Sequence, residues 1–302
     1  LSIMAVQTDL QEVSLHDVFK IMLMRTGLAP NTPQIKIGGF KKNSRGGYSK
    51  DFQVIHEING FDFVYRGVFH FENGRAVLAT VWSQHALDKK YANAAHNALK
   101  TLNLHPKYKS PPLTPEKNAQ LLNQIGLLRL LEEQPLVALS YFERANRMDP
   151  QEALYLINCG FVYQLQNLYG PGVAHFETQL TLVEKNVKLL YILGEMYEAL
   201  RDYGLALKYY EMAMEYTPND PELVINLSDA LWGVGQRNKS LAVVKNLYDS
   251  QPSVRLGVYV AKTLMGMDQY SEAVDLLYDV RQKFPMNRSL GLTLCDALIF
   301  LQ

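Results

Sequence analysis

Apolar positions alternate over much of the first third of the chain and recur three and four apart over the rest. The clearest helical stretch is residues 187–218, VKLLYILGEMYEALRDYGLALKYYEMAMEYTP. Leu190, Leu193, Gly194 and Tyr197 fall on one face of a first helix. Ala206, Tyr210 and Ala213 fall on one face of a second, which Pro218 stops. Gly194, Ala206 and Ala213 are small, and they stand where two packed helices must come close.

The first hundred residues have a different rhythm. The run LSIMAVQ suits a buried strand, and Ser14 with Asp17 three places on resembles a capping box. Leu15, Val18, Phe19, Met22 and Leu23 predict a helix to about Arg25, ended by Pro30 and Pro33. Strand-like runs follow at 34–38, 51–58, 61–71 and 76–82. Asn59-Gly60 and Asn73-Gly74 separate the last three as an antiparallel meander. Phe61, Phe63, Tyr65, Phe69 and Phe71 alternate onto one face, which is expected to be the core side of the sheet. Tyr91, Ala94, Ala95, Ala98 and Leu102 predict a second helix over 88–102. The order β-α-β-β-β-β-α predicts an α+β sandwich, an antiparallel sheet layered with helices. Its ending, a hairpin around ENGRAVLATVWSQ and a helix closing in ALKTLNL, resembles the PsbP-type fold. That resemblance implies an accessory, binding or assembly protein and no catalysis. HPKYKSPPLTP, rich in proline and without periodicity, is expected to be a stiff linker. The expected domains are therefore 1–105, a linker over 106–116, and a helical array over 117–302.

The array has a period of 34 residues. A first copy carries Leu122, Ile125 and Gly126, then Ala138, Phe142, Ala145 and Pro150, with Arg129 where the stretch above has Tyr197. A second has Leu156, Cys159, Gly160 and Tyr163, then Gly172 and Phe176, but Gln179 and Glu184 replace its alanine and proline. A fourth keeps Leu227, Ser228, Leu231, Ser240, Leu247 and Pro252. A fifth, one residue shorter in spacing, keeps Ala261, Leu264, Ala273, Leu277 and Pro285. Residues 289–301 are expected to cap the array or begin a sixth copy. The pattern W-x2-L-G-x2-Y, A-x3-F-x2-A and P is that of the tetratricopeptide repeat, which this region resembles with Leu190 for tryptophan and Tyr210 for phenylalanine. The resemblance implies a right-handed superhelical solenoid that holds peptides or partner helices on its concave face.

Charge adds a division. Residues 1–110 hold 14 Lys and Arg against 8 Asp and Glu, and the remainder 16 against 22, within totals of 30 and 30. The 48% hydrophobic content is that of a globular chain. Cys159 and Cys295 lie in no metal-ligand spacing and are expected to be buried free thiols. No apolar run reaches the length of a membrane span. The chain begins at Leu1, which leaves a signal peptide open. The expected setting is the bacterial periplasm or envelope, with assembly or secretion of an envelope complex as the role and the cytoplasm as the alternative setting.

First-helix positions off the core pattern give a candidate partner-binding groove: Leu127, Leu154, Ile157, Phe161, Tyr191, Glu195, Glu198, Asp229 and Trp232. An apolar half adjoins an acidic half with two aromatics, which fits a protein or peptide ligand carrying apolar anchors and nearby basic residues. The competing reading packs the N-terminal domain on Leu127, Leu154 and Phe161 and leaves the acids solvated. A carboxylate clamp of the kind some family members use is disfavoured, because Leu127 and Ile192 stand where it needs polar groups beside Asn158 and Lys188. Lys41, Lys42, Arg45 and Lys50 around KKNSRGGYSK form a possible anion contact, for nucleic acid or anionic membrane, or else a solvated connection. Six histidines, His16, His56, His70, His85, His96 and His105, precede residue 106 without metal-site spacing, and no nucleophile motif accompanies them. No cofactor and no enzymatic activity are expected; the function expected is that of a non-enzymatic adaptor.

Overall fold

The computed structural model describes residues 2–7, 14–25, 36–37, 39–42, 47–58, 61–72, 75–84, 97, 114–285 and 288–301. The chain divides into two compact units, Leu1–Pro150 and Gln151–Gln302. The expected helix over 88–102 apart from residue 97, the expected linker up to residue 113, Arg45, and the histidines at 85, 96 and 105 lie outside the described residues, while residues 114–116 of that linker cap and open a helix.

In the first unit, strands β1 (Ser2–Gln7), β2 (Lys36–Ile37), β3 (Lys41–Lys42), β4 (Tyr48–Ile58), β5 (Phe61–Glu72) and β6 (Arg75–Gln84) pair antiparallel in the order β1-β6-β5-β4-β2, with β3 also on β4. Ile58 pairs with Phe61 and Glu72 with Arg75, so two residues connect each hairpin at the expected Asn-Gly steps. Helix α1 (Leu15–Arg25) begins at the expected cap: Ser14 Oγ donates to Asp17 Oδ2 at 2.8 Å and accepts from the Asp17 amide at 3.1 Å. Phe19 packs edge-on to Phe52 and Phe69, each 5.4 Å away between ring centroids, and is fully buried. Phe69 and Phe71 are buried as the alternation requires. Phe63 and Tyr65 are only half-buried and meet the exposed Trp82, so the core side of β5 covers half the strand, not all of it.

The helical register begins in the first unit with α2 (Pro115–Leu131) and α3 (Pro135–Met148). It continues in the second with α4 (Ala153–Leu165), α5 (Tyr169–Glu177), the short α6 (Leu180–Val183), α7 (Val187–Ala199) and α8 (Tyr203–Met214). Helices α9 (Pro221–Gly233), α10 (Arg237–Ser250), α11 (Val254–Met265), α12 (Tyr270–Lys283) and α13 (Arg288–Leu301) complete it. Each pair turns through one residue in the left-handed region: Glu133, Asn167, Arg201, Gly235 and Asp268, with φ of 58°, 54°, 62°, 81° and 61°. The amide after each donates back to the carbonyl five residues earlier, for example Asp202 to Tyr197 at 2.9 Å and Gln236 to Leu231 at 2.8 Å, which closes a Schellman turn. Between the fourth and fifth turns the spacing drops by one residue, as the sequence pattern has it.

Close helix approach explains the small residues. A Cβ on Gly126 would lie 2.4 Å from the Phe142 ring, and one on Gly194 2.5 Å from the Tyr210 ring. In the second pair the second helix breaks at Thr178 and Gln179 into α5 and α6, and Glu184 ends α6. Cys159 is buried as expected. Cys295 is exposed, because the face of α13 that bears it meets no further helix among the described residues.

Helix α2 packs against α1, so the first helical pair belongs to the array by register and to the sheet's unit by packing. Arg129, which stands in the tyrosine place of its repeat, donates through Nη2 to Asp17 at 2.6 Å and through Nη1 to Glu132 at 2.5 Å. Lys20 donates to the other oxygen of Glu132. Burial alone would raise the Glu132 carboxyl, but the hydrogen bonds from Lys20 and Arg129 outweigh it and hold it below its ordinary value.

Candidate functional site

The first helices of the second unit, α4, α7, α9 and α11, place side chains from the same register positions in rows. One row reads Phe161, Glu195, Asp229 and Lys262; Leu127 holds the same register place in the first unit. Phe161 is 52% exposed and Leu154 48%, while Ile157 is half-buried. Leu127 is exposed as well. These apolar groups cost free energy against water where they stand.

Hydrogen bonds join each first helix to the next. Gln164 Nε2 donates to Glu195 at 2.7 Å, and Asn226 Nδ2 donates to the Tyr191 hydroxyl at 2.8 Å. The Tyr259 hydroxyl donates to Asp229, and Arg255 pairs with Glu222 through both its terminal nitrogens. Within the third repeat the Tyr210 hydroxyl donates to Glu198 at 2.7 Å. These bonds fix the polar side chains in place, so a ligand meets a preformed surface.

Burial is the main electrostatic effect. It pushes the Glu195, Glu198 and Asp229 carboxyls above the ordinary carboxylate range. Hydrogen bonds from Gln164, Tyr191 and Asn226 partly offset this at Glu195, and that from Tyr210 at Glu198. Glu198 is raised further by Asp229 and Glu195. A cation brought to these acids would favour their ionised forms at little further desolvation cost to the carboxylates, which are already partly dehydrated.

The structure thus brings together Tyr191, Glu195, Glu198 and Asp229, with Trp232 at the end of the row. Trp232 is half-buried: the Arg237 guanidinium lies 4.9 Å from its ring centroid, and a Cβ on Gly266 would be 2.8 Å from its ring. It helps stack the fourth repeat on the fifth, so the expectation that it is spare to stacking is corrected. Tyr191 likewise lies 6.1 Å from the Tyr210 ring. Asn226 was missed, and so were three further groups. Tyr259 and Lys262 line an open cleft of about 270 Å³ with Asp229, Trp232, Ser240 and Thr263, and Arg255 borders Glu222. Carrying the groove register one repeat further would have found Arg255 and Lys262; Tyr259 lies one place off that register. The acidic half is therefore bounded by two bases.

Of the anion-contact residues that are described, Lys50 does not join Lys41 and Lys42. Lys41 and Lys42 are exposed on β3, with Lys41 Nζ 4.0 Å from Asp51. Lys50 is buried, its Nζ 4.2 Å from the Phe40 ring centroid and 4.9 Å from that of Phe19. Alternation along β4 turns it inward, toward Phe19 and Phe40. Burial, with a smaller contribution from Lys20, lowers its ammonium pKa. Among the described residues no His, Cys, Asp and Glu side chains gather to hold a metal, and no helix is long and apolar enough to cross a membrane.

Residues 187–220, the stretch with the clearest pattern, match the family model of the tetratricopeptide repeat. Over 96 residues the chain is 30% identical to Tetratricopeptide repeat protein 21A of Mus musculus, a match that spans 32% of this chain and only 7% of that protein. A tetratricopeptide repeat protein from Parabacteroides merdae ATCC 43184 superimposes with a TM-score of 0.53 at 16% identity, over 61% of this chain and 73% of its own. MamA protein does so with a TM-score of 0.50 at 16% identity, over 55% of this chain and 91% of its own. At such identities the likeness is one of fold, and it agrees with the five Schellman turns, the glycine–aromatic contacts and the 34-residue register. Residues 187–220 are a tetratricopeptide repeat, and the helices from Pro115 to Leu301 have the fold of an array of such repeats.

Proposed function

We propose that the chain is a non-enzymatic adaptor, and that the first-helix face of its second unit holds a segment of a partner protein. Apolar side chains of that segment pack on Leu154, Ile157 and Phe161. A lysine or arginine reaches Glu195, Glu198 and Asp229, beside Tyr191 and Trp232. The observation that carries this reading is the pairing of half-exposed apolar groups with carboxyls raised by burial on one preformed face. Within it, the resemblance of residues 1–105 to PsbP-type accessory proteins favours a role in assembling or exporting an envelope complex. The division into 1–105, a linker at 106–116 and an array from 117 enters as part of the same proposal, with the first repeat also serving as a platform for α1. A contact of Lys41 and Lys42 with anions is the weaker reading, because Lys50 is turned inward and cannot join them.

Selection from a displayed library of random peptides tests it. Binders should be enriched in apolar residues followed by lysine or arginine, and Phe161→Ala or Asp229→Asn should weaken them about tenfold. Enrichment of acidic peptides, or binding unaffected by both substitutions but abolished by Lys41→Ala with Lys42→Ala, would reject the groove.

A further inference from the structure

Along the row Phe161, Glu195, Asp229 and Lys262 the sign of the charge changes at the last place. The change falls at the open cleft of about 270 Å³ between α9, α10 and α11, which is lined by Asp229, Trp232, Ser240, Tyr259, Lys262 and Thr263.

Much of the polar lining is already bonded within the protein. Asp229 accepts from the Tyr259 hydroxyl, which comes from the next first helix. Ser240 Oγ lies 2.7 Å from Ser228 Oγ, and Thr263 Oγ1 donates to the Tyr259 carbonyl at 3.0 Å. Lys262 differs: it is exposed, and among the described residues it has no ion-pair partner. Arg255, the other base at this end, is held by Glu222 through both its terminal nitrogens.

A second base from a ligand is poorly received here. It would meet Lys262 on the lining and the Arg237 guanidinium, which lies 4.9 Å from the centroid of the Trp232 ring. Like charges in a partly dehydrated cleft repel strongly. A carboxylate meets the opposite conditions. Lys262 is free to donate to it, and the rings of Trp232 and Tyr259 offer faces for its methylene groups. Its repulsion from Asp229 is cancelled once a basic residue of the same ligand has reached that acid.

We propose that this cleft takes an acidic side chain of the partner segment, so that the ligand carries a carboxylate one repeat beyond the lysine or arginine that reaches Asp229. The inference rests on the groove reading given above and adds the order of charges along the ligand: apolar, basic, acidic. Adjacent places in the row lie about one helix diameter apart, roughly 10 Å. Base and acid are then about three residues apart in an extended ligand and about seven in a helical one. A ligand with its acid and base exchanged would bring like charges together at both Asp229 and Lys262, so Lys262 sets the direction in which a segment binds.

The test selects binders from a displayed library of random sixteen-residue peptides, fused at their C-termini so that only side chains supply carboxylates. The 302-residue chain, Lys262→Met and Lys262→Glu are used in parallel; Lys262 is exposed and unpaired, so both variants should keep the wild-type Tm. On the wild type, acidic residues should be enriched at one fixed offset from the basic residue, on the side away from the apolar ones. On Lys262→Met that enrichment should vanish. On Lys262→Glu a second basic residue should replace it, while the apolar and first basic positions stay as they are. A synthetic copy of the leading wild-type binder, with its acid changed to the amide, should bind the wild type about fivefold more weakly and Lys262→Met equally well. Wild-type binders with no acid at a fixed offset, or the same acid selected by Lys262→Glu, would overturn this inference and leave the groove reading standing. Wild-type binders without apolar and basic enrichment would overturn both.

Discussion

The Arg129 guanidinium donates to the Asp17 carboxylate at 2.6 Å, joining two helices 112 residues apart in sequence. Arg129 stands where three of the other repeats place Tyr163, Tyr197 and Leu231, side chains that fill space between helices. Among the described residues the first repeat has no earlier repeat to stack on, and α1 of the sheet's unit packs on its first helix. A charged residue that spoils the repeat pattern is thus the one that recognises its replacement neighbour.

Removing one member of this pair leaves the other poorly solvated. Asp17→Ala should lower the unfolding free energy of the first unit by about 3 kcal/mol. Arg129→Leu with Asp17→Leu should recover most of that loss, since an apolar pair of similar volume avoids the desolvation cost. Urea denaturation of the four members of the cycle measures the coupling. Additive losses would show that Lys20 and Glu132 alone hold the helices together.

The repeated turns offer an opposite case. Glu133, Arg201 and Asp268 adopt a left-handed conformation that only glycine takes without strain, as Gly235 does. Arg201→Gly should therefore stabilise the chain, by about 0.5–1 kcal/mol after the extra entropy of the unfolded glycine is subtracted. The rise should appear as a higher urea midpoint with an unchanged slope. A fall in midpoint would mean that Arg201 makes contacts worth more than the strain it carries.

The fold was legible wherever local rules decide it. Ser14 and Asp17 marked the start of α1, and the Asn-Gly steps marked both hairpins, because caps and turns are set by a few neighbouring residues. The repeat register was legible because it is written five times. Arg129 could be seen as a departure but not explained, since its partner is remote in sequence. Lys50 was misread because a basic run suggests a surface, while alternation along β4 placed its long side chain between two phenylalanines. The groove was legible as a set of positions, but not in its internal bonds: Tyr259 and Asn226 became visible only when neighbouring helices were seen to share hydroxyls, amides and carboxylates.

Phe161 and Trp232 were expected to behave alike, and the structure separates them. Phe161 is more than half exposed, so Phe161→Ala should change the midpoint of thermal unfolding by less than about 2 °C. Trp232 packs on Gly266 and under Arg237, so Trp232→Ala should cost about 2–3 kcal/mol and loosen the fourth repeat from the fifth. Hydrogen exchange should show the difference, with protection lost in α9 and α11 for the tryptophan variant alone. Equal behaviour of the two would place Trp232 back among the groups spare to stacking.

The raised carboxyls make a prediction about pH. In the unfolded chain Glu195, Glu198 and Asp229 release their protons near pH 4, at ordinary carboxylate values. In the folded chain burial raises all three, so the folded state holds more protons once the pH exceeds about 4. Stability then falls as pH rises, because the slope follows the protons bound by the unfolded state minus those bound by the folded one. These groups therefore stabilise the fold fully below their unfolded values and lose that contribution as pH climbs through their folded values. Glu222, lowered by its bond from Arg255, and Glu132, lowered by Lys20 and Arg129, act in the opposite sense, so wild-type pH dependence alone cannot isolate the effect. The comparison to make is with the triple variant Glu195→Gln, Glu198→Gln, Asp229→Asn, whose amides keep a hydrogen-bond acceptor for Gln164, Tyr210 and Tyr259. Against the wild type, the variant should gain Tm steadily from pH 4 to pH 7, and the two curves should run parallel below pH 4. Parallel curves over the whole range would mean that these acids are as well solvated in the folded chain as in the unfolded one, and the electrostatic half of the proposed groove would be lost.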